Sequence, residues 1–189
     1  MSEPFRAGAP WTLDDLQMRI LDGQPAEGFD CGDERYNRFL YSRAWRDQKR
    51  GVTVTHLLMI KGVPAAYVTL TMDRIRLGPQ EKPKGVSWQL IGAVKIAQLA
   101  VAKRFAGHGL GAYMISYVIE YARTLRAIVG CRYVTLDAER ELISWYESQG
   151  FVANREEQSY RLQMAEERGT AVENLPQSMR FDLRDARDT

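Results

Sequence analysis

Residues Ile96 to Arg123 read IAQLAVAKRFAGHGLGAYMISYVIEYAR, and the fold turns on them. An apolar run leads into glycines at alternate positions, Gly107, Gly109 and Gly111, and then into an amphipathic pattern. The run LIGAVKIAQLAV, Leu90 to Val101, is nearly continuous in apolar character and predicts a central strand buried on both faces. From Gly109 onward Leu110, Tyr113, Met114, Tyr117, Val118, Tyr121 and Leu125 recur on one face, which predicts a helix of about 17 residues closing before Gly130. A strand, a glycine turn and a helix N-terminus together form an anion site, because the first N–H groups of a helix lack intrahelical partners and its dipole favours negative charge. The glycines would let a diphosphate touch the main chain; a tight connection in which they serve packing alone is the competing reading. Two other glycine loops are excluded. Ala112-Tyr113 follows the third glycine, so the lysine and hydroxyl of an ATPase phosphate loop are missing. The mid-chain position after a hairpin does not fit the first strand of a dinucleotide-binding fold.

Working outward, Leu16 to Leu21 reads as a short strand. In FDCGDERYNRFLYSRAWRDQKRG, Cys31-Gly32-Asp33 forms a turn with Asp33 as N-cap, and Tyr36, Phe39, Leu40 and Ala44 recur at helical spacing, predicting one helix from Asp33 to Arg50 stopped by Gly51. VTVTHLLMI, the turn KGVP and AAYVTLTMDRI predict a hairpin, and RLGPQEKPKGVSWQ a loop. CRYVTLDA predicts a strand, ERELISWYESQG a short helix capped by Gly150, and SYRLQM and SMRFDL two final strands. Strands flanking a central strand, loop and helix argue for a mixed α/β sheet with helices on both faces.

The 189 residues, 45% hydrophobic and 26% charged, suit one domain with one sizeable core. We expect that domain to span 1–189, with 1–15 and 184–189 loosely ordered. A net charge of +2 gives no general argument for nucleic acid, but between Lys61 and Arg104 eight basic residues face only Asp73 and Glu81. Two cysteines, Cys31 and Cys131, and two histidines, His56 and His108, give no disulfide framework and make a structural metal an unsuitable expectation. The N-terminus lacks a signal-like apolar core, and no run approaches the roughly 20 apolar residues of a membrane span. A cytoplasmic location without membrane contact is the expectation.

QLAVAKRFAGHGLGAYMI resembles the acetyl-coenzyme A loop of the GNAT superfamily of N-acetyltransferases, and SWYESQGF resembles that family's later helix ending in Tyr, polar residues, Gly and Phe. Gly111 and Tyr146 stand 35 positions apart, leaving room for the helix and strand between the motifs. The resemblance covers Cys31 to Phe151 and implies the GNAT fold, a central, twisted, mixed but mostly antiparallel sheet of six or seven strands flanked by helices on both faces. It implies acetyl-CoA as co-substrate and no metal. Backbone groups of Leu99, Ala100 and Val101 would meet the pantetheine arm and acetyl carbonyl, and the amides of Gly107, His108, Gly109, Leu110, Gly111 and Ala112 would hold the diphosphate. Ala106 departs from the family's usual Gln or Arg, which weakens a side-chain contact in a loop that works through its main chain.

Acetyl transfer to an amine needs an uncharged nucleophile and a proton for the departing thiolate. The resemblance gives Tyr146 the second role, against a reading in which Tyr146, like Trp145, is a core aromatic. The strand LIGAVKIAQLAV carries no carboxylate base, and Gln98 cannot serve as one. That favours an amine of lowered pKa, such as an α-amino group at about 8, over a lysine; Asp137 and Glu139 remain alternative bases.

Finally, the Phe-x-Cys-Gly turn opening a helix with Ala44 and Gln48 resembles the acetyltransferase toxins of bacterial toxin–antitoxin pairs. These acetylate the α-amino group of aminoacyl-tRNA and are neutralised by a ribbon-helix-helix antitoxin. The basic 61–104 region fits a tRNA backbone, although Arg43, Arg46, Lys49 and Arg50 also suit an ordinary solvated helix face. A housekeeping acetyltransferase of a small amine or protein N-terminus, and a non-catalytic acetyl-CoA-binding regulator, stay open. Exposed apolar surface would support a homodimer.

Overall fold

The β-branched alternation of residues 52–76 produces the hairpin it predicts. β2 (Val54–Ile60) and β3 (Val63–Arg76) pair antiparallel, with Ile60 opposite Val63. Lys61 and Gly62 both take left-handed φ, 49° and 79°, which matches the twist of the strands they join. β1 (Leu16–Ile20) adds to β2 antiparallel, from Leu16 opposite Ile60 to Ile20 opposite His56. The computed structural model describes residues 11–23, 26–173 and 175–184. Of the two ends expected to be loosely ordered, residues 1–10 and 185–189 lie outside the described residues.

β4 (Leu90–Val101), β5 (Tyr133–Ala138), β6 (Val152–Ala153) and β7 (Gln177–Asp182) complete a seven-stranded sheet in the order β1-β2-β3-β4-β5-β7-β6. Four of its pairings are antiparallel, β1 with β2, β2 with β3, β5 with β7 and β6 with β7. With its flanking helices this is the mixed, mostly antiparallel α/β sheet that the sequence predicts. The chain divides into two compact units, Met1–Thr71 with Ile96–Val118, and Met72–Lys95 with Ile119–Thr189.

In the first unit Phe29, Leu40, Leu57, Tyr67 and Ala100 form one buried cluster. The helical segment beside it is not the single helix expected. α1 (Glu34–Arg38) passes through a π segment, Phe39–Arg43, into α2 (Ala44–Lys49). Within the π segment the Ala44 N–H bonds the Phe39 carbonyl, five residues back. The Asp33 carboxylate caps the start, accepting from the Arg35 N–H at 2.8 Å. Asn37 Oδ1 accepts from the Cys31 N–H at 3.0 Å, Ala44 is fully buried, and Gln48 joins the Leu21 carbonyl to the Thr55 N–H at 2.6 and 2.9 Å. The Cys31, Ala44 and Gln48 positions are therefore architectural.

The second unit holds α4 (Ile143–Ser148) and α5 (Arg155–Glu167). α5 corrects the expected strand over SYRLQM. The alternation of Tyr160, Leu162 and Met164 is short, whereas the segment is rich in Arg, Glu, Gln and Ala, opens with Glu156 and Glu157 in its first turn, and closes at Gly169 with φ 64°. The carboxylate of Glu81, in the loop after β3, accepts from the Arg155 and Glu156 N–H groups at the start of α5 and pairs with Arg180 at 2.9 Å. Against the expectation for β4, many of its residues are only half-buried.

Candidate active site

The glycine turn lies in the first unit. After β4 the chain makes a 3₁₀ turn, Lys103–Phe105, then runs through Ala106 to Gly109 and into α3 (Leu110–Arg126), the 17-residue helix predicted. Gly107 and Gly109 have φ of 80° and 89°, a region that L side chains rarely enter. A Cβ built on Gly107 would meet nothing within 4 Å among the described residues, so backbone conformation selects glycine there. Gly111 is different, since it sits in the first turn of α3. The Tyr113 N–H bonds the Gly109 carbonyl at 3.0 Å, which makes the N–H groups of Leu110, Gly111 and Ala112 the ones that helix geometry leaves without intrahelical partners. These donors, on the positive end of a 17-residue helix, suit a diphosphate.

Leu99, Ala100 and Val101 close β4 just before this turn. The main chain beyond them is anchored: the Ala102 N–H donates to the Ala65 carbonyl and the Lys103 N–H to the Asp30 carbonyl, both at 2.8 Å. Lys103 also pairs with Asp30 at 3.3 Å. The structure thus brings all nine predicted coenzyme-binding residues into one continuous strand, turn and helix start.

Gln98, on the same strand, lines a cavity of about 410 Å³ with Glu34, Arg35, Arg38, Phe39, Ser42 and Arg43. The π turn explains how one helical segment supplies six of these. In an α-helix a residue four positions on lies about 40° round the axis, and one eight positions on about 80°. The wider π turn reverses that drift, so Ser42 and Arg43 return beneath Glu34 and Arg35. Ser42 Oγ donates to the Arg38 carbonyl at 2.6 Å within the irregular stretch. Each arginine touches a carboxylate of its own segment, Arg35 with Asp33, Arg38 with Glu34 and Arg43 with Asp47, yet all three side chains are more than 60% exposed. Arg35, Arg38 and Ser42 escaped sequence reasoning; pairs of adjacent residues repeated every four positions were the signal, and an uninterrupted helix would have fanned them apart. Conversely, Lys61, Lys95 and Lys103 of the basic 61–104 region are engaged by Asp15, Asp137 and Asp30.

Tyr146 belongs to the second unit, on α4. It is 8% exposed, with its ring edge-on to Trp145 at 4.8 Å and to Phe151 at 5.8 Å. Gly150, with φ 88°, turns the chain so that the Phe151 N–H returns to the Tyr146 carbonyl at 3.1 Å. The backbone and aromatic packing hold this phenol in one orientation. Asp137, one of the two alternative bases, is unsuited to that work. Burial pushes its carboxyl upward, but the hydrogen bonds and charges of Lys95, at 2.7 Å, and Arg161 outweigh burial and hold it below the ordinary carboxylate range. Glu139 stands at the start of the 3₁₀ turn Arg140–Leu142 that leads into α4. Among the described residues no group of three or more His, Cys, Asp or Glu side chains could hold a metal, and no helix is long and apolar enough to cross a membrane.

Residues 17–151 match the Acetyltransferase (GNAT) family, and the chain belongs to that family, whose co-substrate is acetyl-CoA. Among solved structures it resembles AtaT complexed with acetyl-methionyl-tRNAfMet, with TM-score 0.71 and 21% identity, over 89% of this chain and 95% of that one. A KacT mutant with tyrosine changed to phenylalanine aligns with TM-score 0.70 and 19% identity, over 89% and 95%. A similar tyrosine mutant of the AtaT toxin, bound to the C-terminus of the antitoxin AtaR and acetyl-CoA, aligns with TM-score 0.67 and 20% identity, over 90% and 94%. At these identities the likeness establishes the fold.

Proposed function

We propose that this acetyltransferase transfers the acetyl group of acetyl-CoA to the α-amino group of an aminoacyl-tRNA. The observation that carries the reading is the cavity of Arg35, Arg38 and Arg43 beside Gln98, on the strand that ends in Leu99 to Val101. Guanidinium groups bind phosphate in two-point geometry and stay charged at any physiological pH, which suits the end of an RNA chain. The cavity's one carboxylate, Glu34, lies 3.8 Å from Arg38. An acceptor amine therefore benefits from being largely neutral on arrival, and α-amino groups titrate near about 8, far below the lysine value of about 10.4. The resemblance to AtaT in complex with an acetylated aminoacyl-tRNA supports the same acceptor.

Bound acetyl-CoA supplies the activated acyl group. The N–H groups of Gly107 to Ala112 hold its diphosphate, and the main chain of Leu99 to Val101 receives the pantetheine arm. Tyr146 holds a proton at Oη that can pass to the departing sulfur. In a cell such an enzyme blocks translation, so a small antitoxin, of the ribbon-helix-helix type, is its expected partner; AtaT bound to the C-terminus of AtaR provides the precedent.

The test supplies labelled acetyl-CoA with a pool of charged tRNA beside polyamines, aminoglycosides and peptides. Label recovered on the aminoacyl moiety is the expected result, together with growth arrest on expression that Tyr146→Phe relieves. Label on a polyamine, aminoglycoside or peptide, with none on tRNA, would overturn the acceptor assignment.

A further inference from the structure

Trp11 is buried, at 7% exposed, although it precedes the first strand and belongs to neither of the sequence motifs. Its indole stands edge-on to two residues of the turn between β4 and α3: Phe105, with ring centroids 5.2 Å apart, and His108, 5.0 Å apart. His108 lies between the two glycines of left-handed φ, Gly107 and Gly109. Trp11 is itself held. The next residue, Thr12, donates its N–H to the Asp15 carboxylate at 2.9 Å while the Asp15 N–H returns to the Thr12 carbonyl at 3.2 Å, which closes the 3₁₀ turn Leu13–Asp15. Asp15 also lies 3.6 Å from Lys61 in the β2–β3 turn. A closed local brace thus ends in a large rigid ring packed against the glycine-flanked part of the turn.

We infer that Trp11 is a positioning residue for the coenzyme: its ring sets the conformation of the Phe105-to-Gly109 turn and so aims the diphosphate-binding N–H groups. Edge-to-face aromatic pairs stabilise beyond the area they bury, so two such contacts bias a glycine turn toward one conformation. The indole Nε1 is buried and has no hydrogen-bond partner among the described residues. Packing of the ring against the Phe105 and His108 rings is the operative contact. The inference rests on the assignment of Gly107 to Ala112 to the diphosphate.

The test compares two acetyl donors, acetyl-CoA and S-acetyl-pantetheine, which lacks the diphosphate and nucleotide. Parent enzyme, Trp11→Ala and Trp11→Phe are assayed as full-length chains, each first shown by thermal melting to be folded. If Trp11 aims the loop, Trp11→Ala raises KM for acetyl-CoA about tenfold with kcat retained, and leaves KM for S-acetyl-pantetheine within twofold of the parent. Trp11→Phe, which keeps an aromatic ring, recovers most of the affinity for acetyl-CoA. Three results would overturn the inference: unchanged KM for acetyl-CoA in Trp11→Ala, an equal loss with both donors, or a Trp11→Phe enzyme as impaired as Trp11→Ala. The parent enzyme tests the underlying assignment separately: equal KM values for the two donors would remove the diphosphate from the glycine turn, whatever the Trp11 variants do.

Discussion

In the unit that carries the glycine turn, the polar contacts joining buried strands and helices are mostly between neutral groups. Thr55 meets Thr69 at 2.9 Å and His56 meets Tyr117 at 2.8 Å. In the unit that carries Tyr146 they are mostly between charges. Arg180 reaches Glu81, the Ala153 carbonyl and Asn154 Oδ1 within 3.0 Å, and Asp137 lies between Lys95 and Arg161. A neutral hydrogen bond contributes about 1 kcal/mol net and tolerates repair, whereas removing one partner of a buried ion pair strands the other. The second unit is therefore where single substitutions should damage stability most. The first is where they should damage the coenzyme site while sparing the fold.

The strongest break in this contrast is Arg180→Met. Both side chains of the Glu81–Arg180 pair are only 12% exposed, and leaving Glu81 without its cation should cost about 3–5 kcal/mol in denaturant unfolding. Affinity of the surviving folded protein for acetyl-CoA should be unchanged; a stability loss under 1 kcal/mol would show that the charged network is ornamental. The reverse pattern is expected of Gly109→Glu. Its left-handed φ and the new carboxylate should weaken acetyl-CoA binding on the order of a hundredfold, for a stability loss of about 1–2 kcal/mol, read by calorimetric titration and melting. Parent-like binding would remove the diphosphate from this turn. Tyr146→Phe should lower turnover up to a hundredfold with coenzyme affinity retained, since it deletes only the phenolic hydroxyl; equal turnover would leave Tyr146 as packing.

The smallest effect separates the units by pH. Burial holds the His56 imidazole below its ordinary value of 6.5, so the folded state resists protonation that the unfolded chain accepts. Its contribution is present above pH 6.5 and is lost as pH falls below it. In the other unit the Asp137 carboxyl is depressed, despite burial, by Lys95 and Arg161, so its contribution survives to about pH 4 and is lost below that. Urea midpoints measured from pH 7.5 to 3 should show two declines, and His56→Gln should flatten the upper one alone.

Much of this was legible in the sequence, for identifiable reasons. β4 and α3 announce themselves because twelve and seventeen residues give period and length together. Asp33 and Gly150 mark their helix ends by specific cap chemistry. β6 has two residues and hence no period, and α5 has an apolar pattern too weak to outvote a chance alternation. The nine residues proposed to meet the coenzyme fall within the 14 positions from Leu99 to Ala112, so one linear motif contains them. The arginine cavity was hidden because its geometry depends on a π turn that residue types do not encode locally, and Trp11 because its partners stand about 95 positions away.

The π turn at Phe39–Arg43 also has a meaning at the level of the gene. A helix that holds one extra residue in a single turn can lose that residue and still close the turn. Loss of one codon in this stretch, with the reading frame intact, would convert the π turn into an α turn, with N–H groups reaching four residues back instead of five, and would leave later helical positions facing as they do now. Ala44 would stay buried, and Gln48 would keep the Leu21 carbonyl and the Thr55 N–H. Such a deletion among natural versions of this chain should therefore spare the fold and cost the cavity, because Ser42 and Arg43 would no longer double back toward Glu34 and Arg35.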